Sequence, residues 1–221
     1  MSECLDLKNA KSGRIQNPDS KMLKVGLTGS IAVGKSFVVQ VLGELGCPTL
    51  DADQTAREVV APQTTGWQQI VEHFGPEILN SDNTLNRTKL GAIVFADKEK
   101  REILNSIVHP LVLAAQNQWL QELESNQKNL IAVIDAALMI ESKGYLRFDK
   151  IIVVWCEAEI QIERLMLRNN LNRAAALERI NAQMPQTEKK KYADYLIDTS
   201  AGFDNTRQQV EAVYQKLFET L

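Results

Sequence analysis

The 221-residue sequence has only two histidines and three cysteines, too few and too scattered for a zinc centre or a disulfide framework. Cys4, Cys47 and Cys156 form no C-x-x-C pair, and neither His73 nor His109 stands at ligand spacing from any of them. Cys47 and Cys156 lie in apolar stretches, so reduced thiols in a cytoplasmic protein are expected. No apolar run approaches the roughly 20 residues that a membrane helix requires. An excess of one charge is also lacking. The 25 Lys and Arg against 28 Asp and Glu leave a formal net charge of −3, so no nucleic-acid partner is expected and local basic groups must hold any anionic ligand. Internal repeats and low-complexity segments are absent. Met1 to Lys21 has neither the hydrophobic core of a signal peptide nor an amphipathic pattern, and reads as a mobile extension or as translation from an upstream start. What remains is long enough for one α/β domain with insertions.

The most informative segment is Gly29-Ser30-Ile31-Ala32-Val33-Gly34-Lys35-Ser36, a complete G-x-x-x-x-G-K-[ST] loop. It follows the strand-like run Leu23 to Leu27 and precedes Phe37 to Leu45, which reads as a buried helix closed by Gly46. Two glycines let such a chain wrap a phosphate, so that backbone N–H groups through Phe37 and the N-terminus of the next helix face anionic oxygens. Lys35 adds positive charge near the β and γ phosphates, and the Ser36 hydroxyl suits Mg²⁺. A nucleoside triphosphate site is the expectation.

Cys47 to Leu50 is a short strand candidate that delivers Asp51-Ala52-Asp53 at its carboxyl end, where ligands of open α/β sheets bind. A helix through Ala56 to Val60 is expected to start there. From Gly66 to Asn126 the apolar spacing turns helical, and this stretch ends in an amphipathic helix expected over Leu111 to Leu123. Leu130 to Ile134, ending at Asp135, and Ile151 to Trp155 are apolar runs that fit buried parallel strands. Helices are expected at Glu159 to Arg168 and, capped by Asn172, at Arg173 to Gln183, before Pro185. A last strand, Tyr195 to Ile197, precedes an amphipathic helix over Asp204 to Leu221. This alternation predicts an α/β fold with a five-stranded parallel sheet and right-handed crossovers.

Phosphoryl transfer needs a phosphate cradle, a metal, a group that orients the acceptor hydroxyl, and positive charge for the transferring group. Asp53 fits the third role, and both Asp51 and Asp53 also fit a helix N-cap. Arg164 and Arg168 are four apart and share a helical face, with Arg173 and Arg179 beyond; they read as a phosphate-binding flap or as surface partners of Glu159 and Glu163. Asp135 suits a water-mediated Mg²⁺ contact or a strand-end cap. His109 reads as structural or catalytic, and Glu141 as a buried acceptor or an exposed charge.

Several of these segments together resemble the dephospho-coenzyme A kinase family, from Met22 almost to the C-terminus. Besides the loop from Gly26 to Ser36, the landmarks are Asp51-Ala52-Asp53 with Ala56-Arg57, Phe74-Gly75, Leu85-Asn86-Arg87, Leu104-Asn105 and Ile107 to Pro110. Leu138 to Glu141, Gln161 with Arg164 and Arg168, and Ala193 to Asp198 complete the order. The resemblance implies a phosphate-loop kinase fold with a core over about 22–60, 128–158 and 193–221, a helical acceptor-binding insertion at about 61–127 and a lid at about 159–192. It implies transfer of the ATP γ-phosphate to the ribose 3'-hydroxyl of dephospho-coenzyme A, with Mg²⁺. On that basis Lys35, Asp53, Arg164 and Arg168 are the expected catalytic residues, and Asp53, Arg57, His109 and Pro110 line the acceptor site. A cytoplasmic monomer is expected, with a homo-oligomer as the alternative. Ser30, Ala32 and Val33 stand where the family commonly has glycine or serine, Phe37 where threonine is frequent, Ala137 at the usual proline and Thr199 at an expected asparagine. Altered nucleotide affinity is the expected effect of the loop changes. Another small-metabolite or nucleoside kinase is the alternative function, and a nucleotide-dependent switch a further one, although no Asn-Lys-x-Asp guanine-reading motif is present.

Overall fold

The two runs that carry no polar residue, 130–134 and 151–154, form strands on either side of the one that leads into the glycine-lysine loop. The computed structural model describes residues 22–126 and 130–221. In chain order its elements are β1 (Met22–Gly29), α1 (Lys35–Glu44), β2 (Thr49–Asp51), α2 (Ala52–Glu58), α3 (Thr65–Phe74), α4 (Arg87–Ala96) and α5 (Lys98–Asn126). They continue with β3 (Leu130–Asp135), β4 (Lys150–Trp155), α6 (Ala158–Asn169), α7 (Arg173–Asn181), α8 (Gln186–Lys190), β5 (Tyr195–Asp198) and α9 (Phe203–Phe218). Two units are compact: one reaches Leu50 and resumes at Asn126, the other is Asp51–Ser125. The first 21 residues, and the boundary expected at 127/128, lie outside the described residues.

The first unit holds a five-stranded sheet of order β2-β3-β1-β4-β5. β1 is central, pairing in parallel with β3 on one side and β4 on the other, so that Val25 stands opposite both Val133 and Lys150. Every residue of β3 is buried, which requires cover on both faces of the sheet. Val38, Val41 and Leu42 of α1 and Val210, Val213 and Leu217 of α9 pack with Val25, Leu27, Val133, Ile152 and Val154. Each such side chain contributes about 1.5–3 kcal/mol when fully buried.

The second unit packs helices around Val60, Ile70, Phe74, Ile78, Leu85, Leu90 and Ile107. α2 begins at Ala52, at the strand end where the helix through Ala56 is expected to start, because the Asp51 carboxylate accepts from the N–H groups of Asp53 at 2.8 Å and Gln54 at 3.0 Å. That satisfies two donors of the first turn and makes Asp51 the N-cap. The helix expected from Leu111 is the second half of a single 29-residue helix, α5, which runs through Pro110. Proline removes one hydrogen bond, and the turns on both sides hold the helix together.

Candidate active site

The loop from Gly29 to Ser36 joins the end of central strand β1 to the start of α1. Two of its residues take left-handed backbone: Gly34 at φ 84° and Ala32 at φ 62°. At Gly34 the conformation itself favours glycine, and a Cβ would also stand 3.2 Å from the Thr199 hydroxyl. Ala32 carries its Cβ in this region, at a cost of about 1–2 kcal/mol. No side chain caps α1, so its first-turn N–H groups face outward as an anion site. The Ser30 hydroxyl is buried with no hydrogen-bond partner among the described residues. A phosphate oxygen would satisfy it.

Side chains from well outside the loop hold the peptides on both sides of Ala32. Before it, the Ile31 N–H donates to Gln183 Oε1 at 2.8 Å, and Gln161 Nε2 donates to the Ile31 carbonyl at 2.7 Å. Gln186 steadies Gln161 with a 2.7 Å hydrogen bond to its Oε1 and accepts from the Cys156 N–H at 3.1 Å. After it, Thr199 Oγ1 donates to the Val33 carbonyl at 2.7 Å. Arg164 then places one terminal nitrogen on Thr199 Oγ1 and the other on its carbonyl, both at 2.8 Å. The strained alanine is thus held between two anchored peptides.

Lys35 pairs with Asp135 at the end of β3, a carboxylate that is only 9% exposed. Ser36 is exposed in the first turn of α1. Phe37 turns its ring away to Phe203, 4.7 Å between centroids, with Arg207 over it at 5.9 Å. Only its backbone is available to the loop, and its N–H donates to the Gly34 carbonyl at 3.2 Å.

Arg164 and Arg168 share a face of α6 but differ in surroundings. Arg164 is bound to Thr199, whereas Arg168 is exposed and its Nε donates to neighbouring Asn169 at 2.9 Å. Arg173 makes a bidentate pair with Glu159 at 2.7 and 2.8 Å, whose hydrogen bonds hold the Glu159 carboxyl below its ordinary range. α8 carries a lysine with no exposed surface, Lys189, whose Nζ meets Glu141 at 2.9 Å and donates to the Ala137 carbonyl at 2.7 Å. Glu141 also accepts from the Met184 N–H at 3.3 Å, so it is a paired acceptor.

In the second unit Asp51 is the cap of α2. Asp53, two residues on, is exposed, and its carboxylate has no hydrogen-bond or ion-pair partner among the described residues. Arg57 lies one turn further along the same helix and lines a cavity of about 570 Å³. His109 and Pro110 are exposed on α5 and do not line that cavity.

Residues 23–205 match the sequence model of the family described as dephospho-CoA kinase. The chain belongs to the dephospho-CoA kinase family. It is 44% identical over 192 residues to a dephospho-CoA kinase of Carboxydothermus hydrogenoformans, a match covering 87% of this chain and 93% of that protein. Over 190 residues it is 46% identical to a dephospho-CoA kinase of Listeria monocytogenes, covering 84% and 92%. A crystal structure of a Thermus thermophilus protein superposes with a TM-score of 0.76 at 28% identity, covering 88% of this chain and 97% of that one.

Within this dephospho-CoA kinase family member, Thr199 meets Val33 of the loop. Its hydroxyl holds the Val33 carbonyl, its hydroxyl and carbonyl accept from Arg164, and Ala32 beside Val33 takes the left-handed conformation that glycine adopts freely. Sequence reading assigned no task to Gln183 or Lys189. A polar residue among the turns after α7 is the only local mark of Gln183, and nothing local marks Lys189.

Proposed function

We propose that this chain transfers the γ-phosphate of ATP to the ribose 3'-hydroxyl of dephospho-coenzyme A, giving coenzyme A and ADP. The observation that carries this reading is the phosphate loop with Lys35, in a chain whose residues 23–205 match the dephospho-CoA kinase family. The backbone N–H groups of the loop through Phe37 receive the phosphates, and the Ser30 hydroxyl adds a buried donor. Lys35 exchanges Asp135 for the β and γ oxygens. Asp53 accepts the proton of the 3'-hydroxyl as its oxygen bonds to the γ-phosphorus. The bond to the bridging oxygen breaks, and its electron pair leaves with ADP. Arg168 supplies positive charge to the transferring group, and Arg164 acts on the loop through Thr199.

Mg²⁺ suits the oxygen donors here. Ser36 offers a hydroxyl and Asp135 a carboxylate. The described residues hold no group of three His, Cys, Asp or Glu that would cage a metal, as befits a hard cation that keeps waters and nucleotide oxygens. When bound, it would neutralise charge on the β and γ phosphates. In this reading residues 159–192 form a lid, the helical block at about 61–127 receives the acceptor with Arg57, His109 and Pro110, and the enzyme is a cytoplasmic monomer. Among the described residues no helix is long and apolar enough to cross a membrane.

The test is a product-resolved assay with ATP and dephospho-coenzyme A beside nucleosides and nucleoside monophosphates. A 3'-phosphorylated product from dephospho-coenzyme A is expected. Turnover of nucleosides or monophosphates alone would replace it with another small-molecule kinase, and ATP consumption without any phosphorylated product would replace it with a switch.

A further inference from the structure

Lys189 has no exposed surface, and stability alone gives no reason for an ammonium group there. Apolar side chains of similar volume often match a buried ion pair, because leaving water costs about as much as the two charges gain from each other. The contacts of Lys189 supply another reason. Its Nζ meets Glu141 at 2.9 Å and donates to the Ala137 carbonyl at 2.7 Å, and the same carbonyl accepts from the Thr28 hydroxyl at 3.2 Å. Both lone pairs of that oxygen are thus engaged. Thr28 is fully buried and immediately precedes Gly29, where the phosphate loop begins. Glu141 is fixed in turn by the Met184 N–H at 3.3 Å.

Ala137 stands two residues beyond Asp135, the carboxylate paired with Lys35. Between them, the Ala136 N–H donates to the Leu27 carbonyl at 3.0 Å, and Leu27 lies opposite Asp135 in the β1–β3 register. The chain leaving β3 is therefore pinned to β1 at two successive residues, Leu27 and Thr28. Its own side chains add little, since two are alanines and the next, Leu138, is 53% exposed. Lys189, reaching in from α8, is the second donor that secures this turn. We propose that Lys189 is a positioning residue for phosphoryl transfer. Through the Ala137 carbonyl it fixes Asp135 where Lys35 can leave that carboxylate for the β and γ oxygens, and Glu141 compensates its charge. This rests on the kinase reading and deepens it, by adding a residue of α8 to the phosphate end of the site.

The experiment measures Tm, kcat and the KM for ATP in Lys189→Met alone, with Glu141→Gln and with Asp135→Asn, beside Asp135→Asn alone. Lys189→Met strands the Glu141 carboxylate, so Tm should fall. Adding Glu141→Gln removes the stranded charge and keeps an acceptor for Met184, so Tm should return close to the wild-type value. The kcat should not return with it. In both variants it is expected about tenfold or more below wild type, with the KM for ATP within about threefold, a split that a purely structural ion pair does not produce. In the Asp135→Asn background, Lys189→Met should lower kcat by less than about twofold, because the group it positions is already gone. Thr28→Val takes the other donor from the Ala137 carbonyl and leaves the ion pair intact. It should lower kcat about threefold, and it carries the test where Lys189→Met does not fold. Wild-type kcat in Thr28→Val or in Lys189→Met with Glu141→Gln, or losses from Lys189 and Asp135 that multiply, overturns the positioning role and leaves the kinase reading intact. A wild-type enzyme that does not turn over dephospho-coenzyme A overturns the kinase reading. The Lys189 and Asp135 cycle read as calorimetric affinity for Mg²⁺-ATP then decides the positioning, with multiplying losses again overturning it.

Discussion

Thr199 receives both terminal nitrogens of Arg164, one on its hydroxyl and one on its carbonyl, each at 2.8 Å. The same hydroxyl donates to the Val33 carbonyl, so an arginine of α6 is joined to the phosphate loop through a single buried threonine. Thr199→Val keeps the shape and removes the hydroxyl, leaving the Val33 carbonyl and one Arg164 nitrogen without this partner. A loss of about 1–3 kcal/mol in urea unfolding is expected, with a raised KM for ATP. An unchanged midpoint and an unchanged KM would show that this hydroxyl does not hold the loop.

The anchors on Ile31 carry a different expectation. Gln183→Ala frees the Ile31 N–H and lets the strained Ala32 relax, which should raise the KM for ATP about tenfold. Ala32→Gly removes the conformational strain of about 1–2 kcal/mol that the anchor opposes. Combined with Ala32→Gly, the Gln183 change should therefore weaken ATP by less than about threefold. Strictly additive effects in the double-mutant cycle would separate the anchor from the strain.

Asp51 and Asp53 stand two residues apart and should respond in opposite ways. Asp51→Ala removes the cap of α2 and is expected to cost about 1 kcal/mol of stability. Asp53→Asn removes a carboxylate with no structural partner among the described residues. It should leave Tm in place and lower kcat far more than it raises the KM for ATP. Near-normal kcat in Asp53→Asn would take the acceptor hydroxyl away from this residue.

Burial pushes the Cys47 thiol up from 9.0 to about 11. The unfolded chain releases this proton near pH 9, and the folded protein holds it until about pH 11. The stability it contributes is therefore complete below pH 9 and falls by about 1.4 kcal/mol per pH unit as pH rises towards 11. Cys156 is shifted in the same direction, chiefly by burial. Urea midpoints measured from pH 8 to 10.5 should fall less steeply in Cys47→Ala than in the wild type, and parallel slopes would contradict the shift.

The strands were legible because two runs of five apolar residues have only one environment that satisfies them, the interior of a sheet covered on both faces. The loop was legible because its glycines and lysine are consecutive. Tertiary partners were not. Lys189, Lys190 and Lys191 are identical in sequence terms, yet the first is sealed against Glu141 and Ala137, the second lies over the Trp155 ring, and the third sits at the surface with Glu188. Which lysine is buried depends on how α8 meets strands distant in sequence. Arg164 was read as a flap arginine or a surface partner of Glu159 and Glu163, and its partner, Thr199, is 35 residues away. The helix placed over Leu111 to Leu123 is only the second half of α5 for another reason: the amphipathic pattern marks that half, while intact turns on both sides of Pro110 carry the helix back to Lys98.

The phosphate loop hangs from a strand paired on both edges, with β3 along one side and β4 along the other. Amides of such a strand exchange with solvent only when the whole sheet opens, whereas those of exposed segments exchange through local fluctuations. The nucleotide cradle and the sheet therefore melt as one event. Damage to the core lowers the fraction of molecules able to work, and each molecule still folded keeps a complete loop.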